Sequence, residues 1–349
     1  MRIAVLTNDD PQHARGGAGR IAGLQIEMLR TAGHEVRVWC PKILWLEESK
    51  WRRLYHHLKD LCARSNIVAE IRDWKPDVLV THNLTGCGFG SPSAIQSREV
   101  RWIHVLHDVQ LFEPSGKVYD AMRITFWQRL WSCLRRRYFG TPNLVLSPTQ
   151  WLMIEHQRRG FFLHTQTEVL PNPAPPVEFV SRQTRDPFRL LFAGWMTKEK
   201  GSHVLDEIER VTGWQIEKVS GLDHETVIKK MKEADVLLVP SLIAENQPTV
   251  ILEAASVGLP VIASRIGGIL ETLKDYAFTC SSSDAYEWIR AMKTLRDEKT
   301  YQTAVAHMYQ LAQEHDPRSY AEKFLTLMTP KGKERKEISN FSYRKSLKF

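Results

Sequence analysis

Short apolar runs alternate with longer segments of helical periodicity along most of this chain. Residues 2–7 form the first apolar run, and residues 18–32 follow with apolar side chains along one helical stripe. Val36, Val38 and Cys40 then alternate with polar residues, as in a strand. Further runs of strand length follow at residues 77–80, 102–106 and 144–146. Strands that alternate with helices predict an α/β fold with parallel, doubly wound sheets.

A proline-rich break interrupts the alternation at Pro171-Asn172-Pro173-Ala174-Pro175-Pro176. These prolines cannot sustain a helix or an interior strand, and the alternation of strands and helices restarts beyond them. We therefore predict an N-terminal domain of residues 1–172, a C-terminal domain of residues 173–330 and a tail of residues 331–349. Both domains are expected to be α/β. Ligands of such sheets bind beyond the carboxyl ends of the strands, so the cleft between the domains is the expected site.

Charge and cysteine usage exclude several classes of protein. The tail carries seven Lys or Arg and two Glu, so most of the net charge of +8 lies there and the body is nearly neutral. A neutral body argues against nucleic-acid binding. The five cysteines are far apart and form no C-x-x-C pair, which argues against a disulfide framework or a zinc site. The N-terminus turns polar too soon for a signal peptide, and a cytoplasmic location is expected.

Gly16 and Gly17 stand directly before the first predicted helix. Glycines allow a ligand to approach the backbone, and a helix N-terminus offers free N–H groups to a phosphate. The segment formally fits the dinucleotide pattern G-x-G-x-x-G/A, but it does not follow its strand at once, and the second strand does not end in an acid. Nicotinamide binding is therefore disfavoured. A loop without a ligand remains an alternative.

Two glutamates flank the start of a strongly apolar helix. Glu253 lies within Val250-Ile251-Leu252-Glu253-Ala254-Ala255, and Glu245 lies in the loop before that helix. A carboxylate in such a helix must be desolvated, which is costly unless hydroxyls, amides or a cation satisfy it. Two neighbouring sugar hydroxyls can donate to both oxygens. The alternative is a buried structural ion pair with a Lys or Arg of the other domain.

Lys200 and His107 are candidates because each is expected near the carboxyl end of a strand. Lys200 closes Phe192-Ala-Gly194-Trp195-Met-Thr-Lys198-Glu-Lys200, where it can reach a phosphate, although a solvated surface lysine is the commoner case. His107 ends Trp102-Ile-His104-Val-Leu-His107. A satisfied core histidine is the alternative there, and its spacing from His104 makes a paired metal site improbable.

Several motifs occur in a fixed order along the chain. They are Gly16-Gly17, Asp77–His82, His107-Asp108, Ser147–Trp151, Val169–Asn172, Gly194–Gly201, Pro240–Ser264 and Gly267-Gly268. Together they resemble glycosyltransferase family 4, a retaining family with the GT-B fold, over about residues 1–328. The resemblance implies two Rossmann-like domains facing each other across a cleft. No single motif is specific, but the paired glutamates in this order with the others form a specific signature.

The resemblance also implies roles for the matching residues. Contacts with a nucleotide-sugar donor would come from Gly16, Gly17, Lys200, Asn246, Gln247, Thr249, Val250 and Glu253. Lys200 would neutralise the leaving phosphate and Glu253 would hold the ribose hydroxyls. Glu245 at the transferred sugar and His107 beside its reacting face would be the catalytic residues. Family members need no metal because cations and helix N-termini stabilise the departing diphosphate, so neither a metal nor another cofactor is expected. The sequence contains no D-x-D triplet.

One position departs from the family pattern. The arginine that commonly follows the glycine at 194 is replaced by Trp195. Arg15, Lys198 or Arg265 would then supply the missing cation, or phosphate binding would be weaker, or the donor would differ.

The acceptor side is less clear. Residues 123–139 carry five arginines and no acid, with an apolar stripe of Ile124, Trp127, Trp131, Leu134 and Tyr138. Helices of this composition lie on membrane surfaces, which would suit a lipid-linked acceptor. The favoured interpretation is that the stripe packs on the N-terminal sheet.

The sequence thus predicts a retaining, metal-independent glycosyltransferase that moves a sugar from a nucleoside diphosphate sugar to a glycan, glycolipid or other acceptor. Peripheral contact with the inner face of a membrane is a further expectation, and nucleic-acid binding is not expected. The alternatives are a GT-B sugar-nucleotide epimerase or phosphorylase, and a non-catalytic nucleotide-sugar-binding protein.

Overall fold

The computed structural model describes residues 1–8, 10, 16–41, 49–62, 66–119 and 124–329. They form two compact units. The first unit runs to Gly116, resumes with the helix that begins at Phe126, ends at Leu170, and also takes in the last helix from Ala321 onward. The second unit contains Pro171–Tyr320 and a short segment that begins at Lys117. The predicted boundary at residue 172 lies just beyond the observed one.

The first unit is built on a six-stranded sheet in the order β2-β1-β3-β4-β5-β6, with parallel pairing throughout. Its strands are β1 (Arg2–Leu6), β2 (Glu35–Trp39), β3 (Val78–Thr81), β4 (Arg101–Val105), β5 (Leu144–Ser147) and β6 (Gln166–Val169). Its helices are α1 (Gly17–Thr31), α2 (Lys50–Cys62), α3 (Ile67–Trp74), α4 (Ser91–Ile95), α5 (Phe126–Phe139) and α6 (Gln150–Arg158). The central strands are apolar on both faces because helices cover both sides of the sheet.

The second unit has a five-stranded parallel sheet in the order β11-β10-β9-β7-β8. Its strands are β7 (Leu190–Ala193), β8 (Ile216–Val219), β9 (Val236–Val239), β10 (Val261–Ser264) and β11 (Thr279–Cys280). Its helices are α7 (Ser202–Thr212), α8 (His224–Glu233), α9 (Thr249–Ser256), α10 (Gly268–Leu273), α11 (Ala285–Thr294) and α12 (Glu298–Glu314). A 3₁₀ turn, Lys198–Lys200, precedes α7, and α13 (Pro317–Met328) ends the described chain. The predicted α/β class with doubly wound sheets is confirmed.

The strand order reverses once in each unit. In the first unit β1 lies between β2 and β3, and in the second β7 lies between β8 and β9. At such a reversal, the loops that follow two neighbouring strands run in opposite directions across the sheet. The crevice that opens between them lies at the carboxyl ends of the strands, where ligands of these sheets bind. The loops after β1, β3, β7 and β9 are therefore the ones that the fold offers to a ligand.

The predicted orientation of α5 is wrong. The stripe expected to pack on the sheet is partly or largely exposed, with Trp127 at 73%. The buried side chains are instead Gln128, Ser132, Arg135 and Phe139. Phe139 decides the orientation, since it packs against Trp102 with ring centroids 5.1 Å apart. The neighbouring stripe of aromatic residues is left facing away from the unit.

Arg135 is the most unusual member of the buried face of α5. Its guanidinium carbon lies 3.4 Å from the centre of the Phe89 ring and 4.8 Å from that of Trp131. Burial lowers the pKa of Arg135 to about 9, although Asp60 and Asp108 act in the opposite direction. The arginine is therefore kept inside by aromatic faces and nearby carboxylates.

None of the helices in the described residues is long and apolar enough to cross a membrane.

Candidate functional site

The N-terminus of α1 in the first unit carries the first pair of predicted residues. Gly16 is the N-cap and Gly17 the first helical residue, and no side chain caps the helix. The first N–H groups of a helix have no partner within the helix. A Cβ added at Gly16 would meet no atom within 4 Å, and its φ of −119° is open to any residue. Neither packing nor backbone conformation requires glycine here, which fits a position that a ligand approaches. Arg15 lies outside the described residues.

His107 follows β4 and is paired with a second histidine that follows β3. His107 Nε2 and His82 Nδ1 are 2.9 Å apart and hydrogen-bonded, and the two rings stack with centroids 5.1 Å apart. His82 is almost fully buried, whereas His107 is half-buried. The sequence motif that ends at His82 was recognised, but its contact with His107 was not predicted. Consecutive parallel strands bring the two loops together.

Burial keeps these histidines neutral. It lowers the pKa of His107 to about 4, and it lowers the pKa of His82 well below its usual value, with further contributions from His107 and His104. A neutral imidazole has one donor and one acceptor nitrogen, so one ring in this pair donates to the other. Above about pH 5 the pair therefore offers polar contacts without a net charge.

Asp108 and His104 are held by the fold. Asp108 accepts hydrogen bonds from Asn83 Nδ2 and from the Gln110 N–H, both at 2.8 Å. His104 is buried and its Nδ1 lies 2.8 Å from Thr81 Oγ1. Burial lowers the pKa of His104 to about 3. His104 is thus a satisfied core histidine, and His107, with its exposed edge, is the one that a ligand can reach.

In the second unit, Lys200 and Glu245 are brought together as an ion pair. Lys200 Nζ donates to Glu245 Oε1 at 2.6 Å, and Ser241 Oγ donates to the same oxygen. The lysine comes from the loop after β7, and the serine and glutamate come from the loop after β9. The two loops flank the point where the strand order reverses. Ser241 was not singled out among the predicted site residues.

Two glycines allow this cluster to form. Gly201 has a φ of +82°, and a Cβ there would lie 2.0 Å from the Pro240 carbonyl oxygen. Gly267 has a φ of +59°, and a Cβ there would lie 2.5 Å from the Glu245 carbonyl oxygen. That oxygen also accepts the Gly268 N–H at 2.8 Å. Any side chain at either glycine would displace the loop that carries Glu245.

The segment that begins at Lys117 also supports this loop, although the predicted domain boundary places it in the first domain. The Ala244 N–H donates to the Val118 carbonyl oxygen at 2.7 Å. Lys117 forms an ion pair with Glu199, whose carbonyl oxygen accepts the Leu242 N–H at 2.8 Å. Hydrophobic periodicity contains no signal for such long-range backbone pairing.

Helix α9 holds the remaining predicted residues. Thr249 and Val250 are its first two residues, its N-cap is Pro248, and no side chain caps it. By contrast, Thr125, Thr149, Asp223, Asp284 and Asp297 cap their helices with side-chain oxygens. The first N–H groups of α9 therefore remain available to an anion. Just before the helix lie Asn246 and Gln247, and Gln247 Oε1 accepts the Asn172 N–H at 2.6 Å.

Glu253 is buried in α9, as its apolar surroundings predicted, with 4% of its surface exposed. The imidazole Nδ1 of His224, on α8 of the same unit, lies 3.8 Å from Glu253 Oε1. The neighbour is thus a histidine of the same unit, whereas the sequence predicts a Lys or Arg of the other domain as the alternative to a ligand.

The candidate cations for the position of Trp195 differ in their contacts and in their exposure. Arg265 Nη2 donates to Glu287 Oε1 at 2.8 Å and to the Thr279 carbonyl oxygen at 2.7 Å. An anion would have to compete with that carboxylate. Lys198 is exposed in the 3₁₀ turn, and Trp195 itself is 46% exposed.

Two family models match consecutive parts of the chain. The model for Glycosyltransferase Family 4 matches residues 15–177, and the model described as Glycosyl transferases group 1 matches residues 174–298. Their junction coincides with the proline-rich break. A curated relative, an uncharacterised 42.6 kDa protein of the cps region of Klebsiella pneumoniae, is 24% identical over 225 residues. The match takes in 58% of this chain and 60% of the relative's length.

Solved structures share the fold over almost the whole chain. Sucrose-phosphate synthase from Thermosynechococcus elongatus superposes with a TM-score of 0.72 at 17% identity, covering 94% of this chain and 98% of its own. HepE from Anabaena, in complex with UDP and glucose, superposes with a TM-score of 0.65 at 14% identity, covering 94% and 99%. At these identities the likeness shows the GT-B fold.

Proposed function

We propose that this chain, which belongs to glycosyltransferase family 4, transfers a sugar from a nucleoside diphosphate sugar to a saccharide or lipid-linked acceptor. The matched HepE structure contains UDP and glucose, which supports a nucleotide-sugar donor and makes UDP the first nucleotide to test.

The observation that carries the proposal is the cluster of Lys200, Ser241 and Glu245 at the carboxyl edge of the second sheet. Lys200 supplies a positive charge that Glu245 already holds in place at 2.6 Å. A diphosphate is the kind of ligand that a lysine and uncapped helix N–H groups bind, and α9 begins four residues after Glu245. The neighbouring Glu245 carboxylate suits the hydroxyls of the sugar attached to that diphosphate.

We further propose that transfer is retaining and independent of a metal. As the glycosidic bond to the diphosphate breaks, negative charge develops on the leaving phosphate oxygens. Lys200 and the N–H groups of Thr249 and Val250 would stabilise that charge, which is the task a metal would otherwise perform. Glu253 would accept hydrogen bonds from the ribose hydroxyls, and neutral His107, in the first unit, would contact the sugar without adding charge.

Nucleotide binding tests this proposal first. We expect one of UDP, GDP, ADP and dTDP to stabilise the protein, by about 2.7 kcal/mol at a hundred times its dissociation constant, with no change when EDTA is added. Thermal unfolding of the full chain measures both effects. A shift that appears only with magnesium or manganese would contradict metal independence.

Variants at the cluster separate binding from transfer. Lys200→Met removes the cation and should weaken nucleoside diphosphate binding by about 1.5–3 kcal/mol, the contribution of a hydrogen bond to a charged group. Glu245→Gln leaves Lys200 uncompensated, so binding should be retained while sugar transfer falls. Lys229→Met, on an exposed position of α8, is the matched control. Tight binding without donor turnover in the unaltered protein would indicate a non-catalytic binding protein, and donor interconversion without acceptor would indicate an epimerase.

A further inference from the structure

The outward surface of α2 and α5 exposes large aromatic side chains. Trp51 and Tyr55 on α2 are 81% and 60% exposed, and Phe126 and Trp127 on α5 are 71% and 73% exposed. Leu58 and Leu130 are also exposed beside them. We define these six residues as the aromatic face. Single exposed aromatic residues are ordinary, but a group of them on two adjoining helices marks an interaction surface.

The two helices belong to the same unit and contact each other. Among the side chains that the structure describes, each helix has one buried charged residue, Asp60 on α2 and Arg135 on α5. Each of these two residues affects the pKa of the other. Trp51 lies nine residues before Asp60, and Phe126 nine residues before Arg135. Nine residues correspond to about two and a half helical turns, so each aromatic residue points away from the buried charge on its own helix. The aromatic groups of both helices therefore lie on the outside of the unit.

The charged side chains that α2 and α5 expose beside the aromatic face are cations. Helix α2 contains four Lys or Arg residues and one acid, Asp60, while α5 contains four Arg residues and no acid. Asp60 is buried, where it accepts the N–H groups of Gly86 and Gly88. Arg52 and Lys59 on α2 and Arg129 and Arg137 on α5 are exposed. Neither helix thus presents a carboxylate outward, and the surface is both apolar and positive.

We infer that the aromatic face of α2 and α5 is a docking surface for an anionic lipid bilayer. Tryptophan and tyrosine favour the boundary between water and hydrocarbon, and exposed leucines gain by insertion below it. Lysine and arginine beside them attract anionic headgroups. The inference extends the proposed function but does not depend on it, since the surface is defined without the donor site.

Other occupants fit the surface less well. A second copy of the chain would bring two positive surfaces together, which opposes association. A nucleic acid would satisfy the cations and stack on aromatic rings, but it would leave the exposed leucines without a partner. A bilayer satisfies the cations, the aromatic rings and the leucines at once.

Co-sedimentation of the full chain with vesicles tests the inference. We expect binding to phosphatidylcholine vesicles that contain phosphatidylglycerol, weaker binding at high salt, and little binding to pure phosphatidylcholine. Combining Trp51→Ser, Phe126→Ser and Trp127→Ser should remove most of the binding. Combining Arg129→Gln and Arg137→Gln should weaken it by roughly twenty- to thirtyfold, because each cation near an anionic surface contributes about fivefold.

Matched controls distinguish binding through this surface from nonspecific adsorption to vesicles and from binding through the basic tail. Phe179 and Tyr286 of the second unit are similarly exposed, and Phe179→Ser with Tyr286→Ser should bind vesicles like the unaltered protein. Removal of residues 331–349, which hold seven Lys or Arg and two Glu, should leave most of the binding. Circular dichroism checks that every variant is folded.

Cys133 offers a readout that needs no substitution. It is an exposed free cysteine on α5, two residues before the buried Arg135, so it lies on the outward side. Anionic vesicles should slow its reaction with a water-soluble thiol reagent, followed by mass spectrometry of the peptide that contains it. The inference is overturned if the aromatic variant binds vesicles normally, if only removal of the tail abolishes binding, if Cys133 stays fully reactive on vesicles, or if the aromatic variant changes only the oligomeric state.

Discussion

Helices α9 and α5 both break the rule that polar side chains face water and apolar ones face the core, but they break it in opposite ways. Helix α9 buries Glu253 among apolar neighbours. Helix α5 buries Arg135 and turns Phe126 and Trp127 outward. In α9 the buried charge lies in the second turn of a helix with an uncapped N-terminus, and that helix begins four residues after Glu245. In α5 the buried charge lies against Phe89.

The difference indicates two kinds of functional signal. A buried acid at the carboxyl edge of a sheet, next to free helix N–H groups, fits the recognition of a small polar ligand. Aromatic residues displaced to the surface by a polar inner face fit an extended partner instead. The two helices therefore lead to separate predictions. Substitutions in α9 should change nucleotide binding. Substitutions in α5 should change stability on its buried side and attachment to a bilayer on its exposed side.

The largest expected effect is on the inner side of α5. Arg135→Ala should lower the free energy of unfolding by about 3–5 kcal/mol, because it removes a large buried side chain and the cation that acts on the buried Asp60 carboxylate. Trp127→Ala, on the exposed side of the same helix, should change the free energy of unfolding by no more than about 0.5 kcal/mol. Urea unfolding of the two variants measures the contrast. Equal losses would mean that the outward face of α5 is packed against protein.

The next effect concerns α9. Glu253→Gln keeps the shape of the side chain and should weaken nucleoside diphosphate binding by about 1.5–3 kcal/mol, because it would remove the charged hydrogen bonds that we propose between Glu253 and the ribose. Calorimetric titration measures the change, with Glu225→Gln on an exposed position of α8 as the control. Unchanged affinity would assign Glu253 a structural role beside His224.

The smallest effect concerns Trp195, an exposed aromatic residue of the second unit. One expectation from the sequence is that Arg15, Lys198 or Arg265 supplies the cation missing at position 195, in which case an arginine there would crowd the ligand. In the structure Arg265 is held by Glu287, and Trp195 is 46% exposed. We therefore expect Trp195→Arg to tighten nucleoside diphosphate binding by about 0.5–1 kcal/mol, as an exposed ion pair does. Trp195→Leu is the control, and weaker binding by the arginine variant would indicate that another cation already serves the diphosphate.

The sequence by itself determined the class of fold and several elements of the first unit. The predicted helix of residues 18–32 and the predicted strands of residues 77–80, 102–106 and 144–146 agree with α1, β3, β4 and β5 to within one residue. Buried parallel strands and their covering helices leave strong periodic patterns. The sequence also predicts the burial of Glu253, because a helix that is apolar on nearly every side, as α9 is, is buried as a whole.

Only the tertiary structure decided which stripe of α5 faces inward, that His82 pairs with His107, and that a segment beginning at Lys117 supports the loop of Glu245. The stripes through Trp127 and Gln128 are neighbours on one helix. Which of the two is buried depends on Phe89 and Trp102, which come from elsewhere in the chain. Periodicity describes what a helix can bury. The surface against which the helix packs decides which of its faces is buried, and that surface is assembled from residues distant in sequence.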